Sequence, residues 1–417
     1  MIHYPTLNLF LYDLHEGLGQ NDKEIQQNKE IFLKKLPDNT KIFEESNELE
    51  YLELLSNPKT IRFQADSPKH DGYYYPVLLN DSYGLLLNYS LKLEQDETNL
   101  TWLENLQKLV AGKVNNQAGT LGETWFLSGQ IDDLENSENI AENCCQTLFP
   151  QDEFIKVGKS DFLEGIIFEF NNLTKHVLIA FYPSETSLKQ ETDFYPDWMR
   201  LLFYRYKIMW AYNQSRELVR KLKQGATQIQ ICEQNLRASM DTDKLKNKQL
   251  QTVLNQVWQI LADYATDLDK LNDQTYTIAI NLDNYEKRLI RLVEKSESSL
   301  TKLQKFHIIS KEKYLPQVQQ DYKAFSPKLR RLENLINYIR TRVAIQEEVR
   351  EQKFQNTIAT WGIGLAFGAI VASISGQFPT ASETCWTPAV ISLLISLLAV
   401  MIGRYATKIV LWFMRRK

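Results

Sequence analysis

What this chain has little of excludes more than what it has. Among its 417 residues there are four cysteines, Cys144, Cys145, Cys232 and Cys385, with no Cys-x-x-Cys pair. That rules out a zinc ribbon or a thioredoxin-type redox pair, and the usage suits a reducing compartment. The five histidines (His3, His15, His70, His176 and His307) never pair at helical spacing with each other or with a cysteine, so no metal site is visible. Positive charge is not in excess: the net charge is -4, which argues against nucleic acid as a partner. Glycine nearly vanishes between residues 194 and 355, where Gly225 stands alone.

Phosphate-binding and nucleophile motifs are missing too. Gly158-Lys159-Ser160 resembles the end of a phosphate loop, but position 153 is glutamate where the pattern needs glycine. Gly17-Leu18-Gly19 lacks the third glycine of a dinucleotide fingerprint, and no Gly-x-Ser-x-Gly elbow occurs. His15-Glu16, Asp132-Asp133 and the Glu44, Glu45, Glu48 cluster are expected to be solvated surface. The sequence therefore predicts no catalytic residue, no metal ligand, no cofactor and no enzyme. Cys144 and Cys145 are expected as small residues on a helix.

The absence of charge is most informative near the end of the sequence. No charged residue occurs from Asn356 to Ser382, nor from Cys385 to Gly403. A membrane span needs ~20 apolar residues, and both runs qualify. Between them lies Gly376-Gln-Phe-Pro-Thr-Ala-Ser-Glu-Thr-Cys-Trp386, rich in turn formers. Two adjacent helices with a short external turn satisfy every backbone group inside lipid. Arg340, Arg342, Arg350 and Lys353 precede the first run, and Arg404, Lys408, Arg415, Arg416 and Lys417 follow the second, while the turn carries no Lys or Arg. The positive-inside rule then predicts both termini in the cytoplasm, with the hairpin in the cell inner (plasma) membrane. Trp386, Arg404, Lys408, Trp412, Arg415, Arg416 and Lys417 are the expected membrane-interface residues. Gly364, Gly368 and Ala372 recur every four residues on one face of the first run, as close helix packing requires. With Ser373, Ser375, Gly376 and Gln377 they are the candidate pore or packing residues. Met1-Ile-His-Tyr-Pro5 has no basic n-region, so a cytosolic body is expected.

That body reads as α+β. Residues 1–190 are predicted as a cytosolic α/β domain. Strands are expected at Thr6–Tyr12, Glu123–Ser128, Gly165–Phe170 and His176–Tyr182. A hairpin, Tyr73–Leu79 with Tyr83–Ser90, is expected around Asn80-Asp81-Ser82, and helices at Lys23–Leu36 and Thr101–Val114. Residues 191–355 are predicted as a helical bundle or stalk. Leu250, Val253, Leu254, Val257, Ile260, Leu261, Tyr264, Leu268 and Leu271 form one apolar set, and Leu329, Leu332, Leu335, Ile336, Ile339 and Val343 another. Pro316 and Pro327 are expected between helices. No sustained heptad appears, which favours a bundle over a two-stranded coiled coil. Nothing between Arg330 and Gly362 is proline or glycine, so the last stalk helix is expected to run into the first span. Residues 356–417 form the hairpin and its basic tail.

This layout resembles the CorA superfamily of divalent-cation channels in order and proportions over most of its length. Those proteins have a cytosolic α/β domain, long stalk helices, a stalk entering the first of two C-terminal spans, and a short basic tail. The resemblance implies a homo-oligomer in the lipid bilayer with the first span lining a pore. The family closes that span with Gly-Met-Asn, which selects hydrated magnesium; here the stretch is Ser373-Ile374-Ser375-Gly376-Gln377-Phe378-Pro379. The implied function is an ion channel-like protein with a cytosolic sensing domain for a small-molecule or protein regulator, and not a standard magnesium transporter. Divergent CorA-like proteins without the motif act as membrane effectors in nucleotide-signalled bacterial defence. A non-conducting membrane-anchored scaffold or signalling/defence effector is the alternative.

Overall fold

A computed structural model describes residues 2–17, 19–43, 51–64, 70–91, 100–172, 174–240 and 247–346. It is an α+β protein: an N-terminal mixed sheet domain followed by long helices. Among the described residues no helix is long and apolar enough to cross a membrane. The expected hairpin at 356–403 lies outside them.

The chain begins with β1 (Ile2–Leu14) and α1 (Asp22–Leu33), followed by β2 (Leu52–Glu53), β3 (Ile61–Gln64) and the hairpin β4 (His70–Leu79) and β5 (Ser82–Leu91). Next come α2 (Thr101–Lys113), β6 (Gly122–Ile131) and α3 (Ser137–Leu148). The strands β7 (Ile155–Phe162), β8 (Gly165–Asn171) and β9 (His176–Tyr182) complete a sheet of order β2-β4-β5-β1-β6-β9-β8-β7, with β3 on β4. All pairings are antiparallel except β6 with β9. The β4–β5 turn is tight because Asn80 adopts φ 52, a left-handed conformation asparagine tolerates.

β1 explains the layering. Its side chains alternate, as a strand requires. Leu7, Leu9 and Leu11 enter one apolar core with Phe32 of α1, Leu103 and Leu106 of α2, and Ala141 and Leu148 of α3. Asn8, Phe10 and Tyr12 point to the other face, where α5 lies: the Tyr12 hydroxyl donates to the Met199 carbonyl at 2.8 Å, and Phe10 meets Tyr195 edge-on at 6.5 Å. Being covered on both faces, β1 reads as a run of nearly continuous burial from Leu7 to Asp13. Gly122 fits one place only: at φ +153, a Cβ there would stand 2.1 Å from the Tyr206 ring of α5.

A seven-residue helix, α4 (Glu185–Glu191), and a short 3-10 turn lead into α5 (Tyr195–Met240), 46 residues long. α6 (Asn247–Ser296) has 50 residues, α7 (Thr301–Ile309) nine, and α8 (Leu315–Gln346) 32. At 1.5 Å per residue α5 and α6 each extend roughly 70 Å. The expectation for the prolines needs correction: Pro327 lies inside α8, and Pro316 in its first turn. A π turn at Ser310–Tyr314 joins α7 to α8. It widens the backbone one turn before Pro316, where an ordinary helix would collide with the proline ring.

The described residues divide into two compact units: those up to 228 with 260–330, and those of 229–259 with 331–346. The first holds the sheet. In the second, Val257, Leu332, Ile336 and Ile339 are buried, with Leu332, Ile336 and Ile339 at helical spacing.

Candidate functional site: a buried ionic link between sheet and helices

The α5-facing side of the sheet carries charges in the midst of apolar residues. Glu169 lies on β8 in the run Ile166-Ile-Phe-Glu-Phe170, and His176 opens β9. The antiparallel register sets Glu169 opposite Leu178, two residue pairs from His176 and so on the same face. Thr124 pairs with His176 across the parallel β6–β9 ladder. Arg205 and Tyr206 descend onto this patch from α5, and all five side chains are buried.

Their contacts form a chain. Glu169 Oε1 lies 3.2 Å from Arg205 Nη1 and 3.2 Å from His176 Nε2. His176 Nδ1 is 2.9 Å from the Thr124 hydroxyl, which is 3.0 Å from the Tyr206 hydroxyl. Tyr206 donates in turn to the Glu123 carbonyl. Arg205 also stacks 4.3 Å above the Phe306 ring of α7. With its amide oxygen turned toward Arg205, Asn171 accepts from Nη2 at 3.2 Å. One guanidinium thus joins β8, α5 and α7.

Electrostatics fix the protonation states. Burial opposes ionisation of Glu169, but the Arg205 charge and the His176 hydrogen bond prevail and hold its carboxyl down at about 2. Burial, then the Arg205 charge, push His176 down to about 4 against the pull of Glu169. The imidazole is therefore neutral at pH 7. A carboxylate has no proton to give, so Nε2–H donates to Glu169 and Nδ1 accepts from Thr124.

Hydroxyl, imidazole and carboxylate in line are the parts of a nucleophile, base and orienting acid. Here Thr124 is 0% exposed. What the arrangement does is hold α5 to the sheet through a buried ion pair, in which Arg205 Nη1 lies near Glu169 Oε1 without hydrogen-bond geometry, and through the Tyr206 hydroxyl. Other ion pairs repeat the theme. Lys35 donates to both oxygens of Asp13 at 2.6 Å, fully buried. Arg288 meets Asp197 at 3.0 Å between α6 and α5, and Arg216 meets Asp321 at 2.5 Å between α5 and α8.

The site residues named from sequence, Gly364 through Lys417, all lie outside the described residues. Of the weaker motifs, Gly158 sits at a bulge of β7 with φ +146, against the Lys302 side chain, and Ser160 accepts from the Lys302 backbone at 3.1 Å. Lys159 reaches Glu138 at 3.2 Å. The Gly-Lys-Ser run is thus part of an edge strand. Asp133 accepts from the backbone of Glu135 at 2.9 Å, ahead of α3, and Asp132 meets His3 at 3.2 Å. Cys144 and Cys145 are buried on α3, and burial pushes both thiols up to about 12. Among the described residues no three His, Cys, Asp or Glu side chains could hold a metal ion together.

Sequence reasoning passed over Glu169, His176 and Arg205. The available signal was charge inside apolar runs, such as Arg205 and Lys207 within Leu201-Leu-Phe-Tyr-Arg-Tyr-Lys-Ile208. No family model, curated protein or solved structure matches this chain.

Proposed function

We propose that the chain is an oligomeric membrane protein whose cytosolic sheet domain senses a small-molecule or protein regulator. The signal passes through the long helices to a two-helix pore formed by residues 356–403. The observation that carries this reading is the pair of charge-free apolar runs, Asn356–Ser382 and Cys385–Gly403, flanked by basic residues. α8 lends support, because it is helical to Gln346 and neither proline nor glycine occurs between Arg330 and Gly362. So does the Arg205 link, which fixes α5 to the sheet and gives a ligand on the sheet domain a stiff route to the helices. By the layout's resemblance to CorA proteins, the first span would line the pore.

A second reading is a non-conducting membrane-anchored scaffold or signalling/defence effector. It is favoured by Gly376-Gln377-Phe378, which stands where the CorA family has Gly-Met-Asn.

Subunit number in detergent, measured by native mass spectrometry, separates the two. Four or more copies support the pore; a monomer or dimer sinks it, since two uncharged spans per chain cannot surround a channel with so few copies. For a ring, ion flux into liposomes is expected, and Gly368→Leu is expected to reduce it by disturbing the small-residue face.

A further inference from the structure

At the end of the α5-facing side of the sheet, beyond Asn8, four adjacent strands present small residues in register. Ser90 of β5 pairs with Thr6 of β1, Thr6 with Ser128 of β6, and Ser128 with Ala180 of β9. Such side chains leave the space above the sheet to be filled from elsewhere. α4 closes over it, and its last residue is Glu191.

Thr6 and Ser90 satisfy each other at 3.0 Å. Their neighbours do not. Glu191, Ser128 and Tyr182 are 0% exposed, yet both carboxyl oxygens of Glu191, the Ser128 hydroxyl and the Tyr182 hydroxyl have no hydrogen-bond partner among the described residues. The Ser128 hydroxyl stands beside the Glu191 carboxyl, short of hydrogen-bond geometry. Tyr182 on β9 and Tyr195 on α5 are close enough to feel its charge. Tyr195 is already engaged by the Asn8 amide at 3.0 Å. No Lys, Arg or His among the described residues acts on Glu191. Orphaned buried polar atoms are rare in folded proteins, and each calls for an explanation. The two oxygens of Glu191, with the Ser128 and Tyr182 hydroxyls near enough to interact with its carboxyl, point to something that binds them.

We propose that Glu191, Ser128 and Tyr182 form a binding site for one dehydrated monovalent cation, sodium, potassium or ammonium. The donor set is all oxygen, which suits hard cations. It carries a single negative charge, so a monovalent ion leaves the buried site neutral, whereas a divalent ion leaves an uncompensated charge. An anion would face the carboxylate. The proton is the natural competitor: burial pushes the empty carboxyl up to about 8, so the cation enters near neutral pH by releasing that proton. The site requires neither an oligomer nor a pore, and it stands or falls independently of the proposed function.

The test uses the full chain purified in detergent. Thermal unfolding is followed at pH 8 in choline chloride, then with choline replaced at equal ionic strength by sodium, potassium or ammonium. At least one of the three is expected to raise Tm saturably, by ~3 °C at ten times its Kd, and comparison of the arms identifies the ion. Glu191→Gln is expected to abolish the shift. Ser128→Ala, which keeps the charge, is expected to weaken the cation's Kd about tenfold, the equivalent of one lost contact. Unchanged Tm in all three salts overturns the proposal. So does a shift that persists at full size in Glu191→Gln, or, where that variant does not fold, an undiminished affinity in Ser128→Ala.

Discussion

Glu169 and Glu191 sit at two ends of the α5-facing side of one sheet, both out of contact with water. Glu169 meets Arg205 and His176 at 3.2 Å and is held at about 2. No Lys, Arg or His among the described residues acts on Glu191, and burial pushes it up to about 8. The same side chain, equally buried, is thus an ion in one place and an acid in the other. Desolvation acts on both alike, so the partner decides. The pairing at Glu169 locks helices to sheet; its lack at Glu191 leaves a position open to a proton or a cation.

Removing the partner should make the two ends alike, and this is the largest effect expected. Arg205→Met leaves Glu169 buried with only the His176 hydrogen bond and no full counter-charge, at a cost of about 3–5 kcal/mol, measurable by urea unfolding at pH 7. In the native protein the lowered pKa of Glu169 contributes stability above the ordinary carboxylate range, and that stability is lost as pH falls toward about 2. In Arg205→Met the carboxyl prefers its proton, so the loss should shrink from pH 7 to pH 5. A loss independent of pH would show that packing of Arg205 on Phe306, rather than charge, is what matters.

Glu191 gives the opposite slope. Its raised pKa means that the folded chain holds a proton that the unfolded chain releases. Its contribution to stability is therefore full below the unfolded carboxylate range and declines as pH rises to about 8. Glu191→Gln, neutral throughout, should remove that decline in choline buffer and leave the variant more stable than the native protein at pH 9, by on the order of 2 kcal/mol. Parallel pH profiles for the two chains would contradict the assignment.

The smallest change sharpens the comparison from within the link. Thr124→Val keeps shape but leaves His176 Nδ1 without its donor, for about 1–2 kcal/mol. Nitrogen chemical shifts of the ring should still report a neutral imidazole, because burial and Arg205, not Thr124, hold His176 down. An imidazolium signal at pH 7 would mean that the threonine hydroxyl sets its state.

Much of the fold was legible because it rests on local periodicity. Seven residues of alternation predicted β1, and the hairpin around Asn80-Asp81-Ser82 pairs as expected. β7 escaped notice because it is a half-exposed edge strand, interrupted at Gly158 by a bulge. α3 had a readable signal, Ile140, Ala141, Cys144, Cys145 and Leu148 at helical spacing, of which only the cysteines were used. Pro316 and Pro327 misled because a proline's effect depends on the turn before it, and the π turn at Ser310–Tyr314 absorbs one of them. The pairings had no comparable signal: charge inside an apolar run marks Glu169 and Arg205 singly, but they lie on different elements, and Glu191, in Leu188-Lys-Gln-Glu191, lacks even that mark.

The sequence by itself determined which segments are strands and helices, since apolar spacing acts between near neighbours. It also carries the two charge-free runs and their basic flanks, because charge and hydropathy are properties of composition. Only the tertiary structure decided which charges are paired. That depends on which side chains the sheet register and the descent of α5 bring within about 3 Å, where a buried carboxyl becomes either an anchor or an open site.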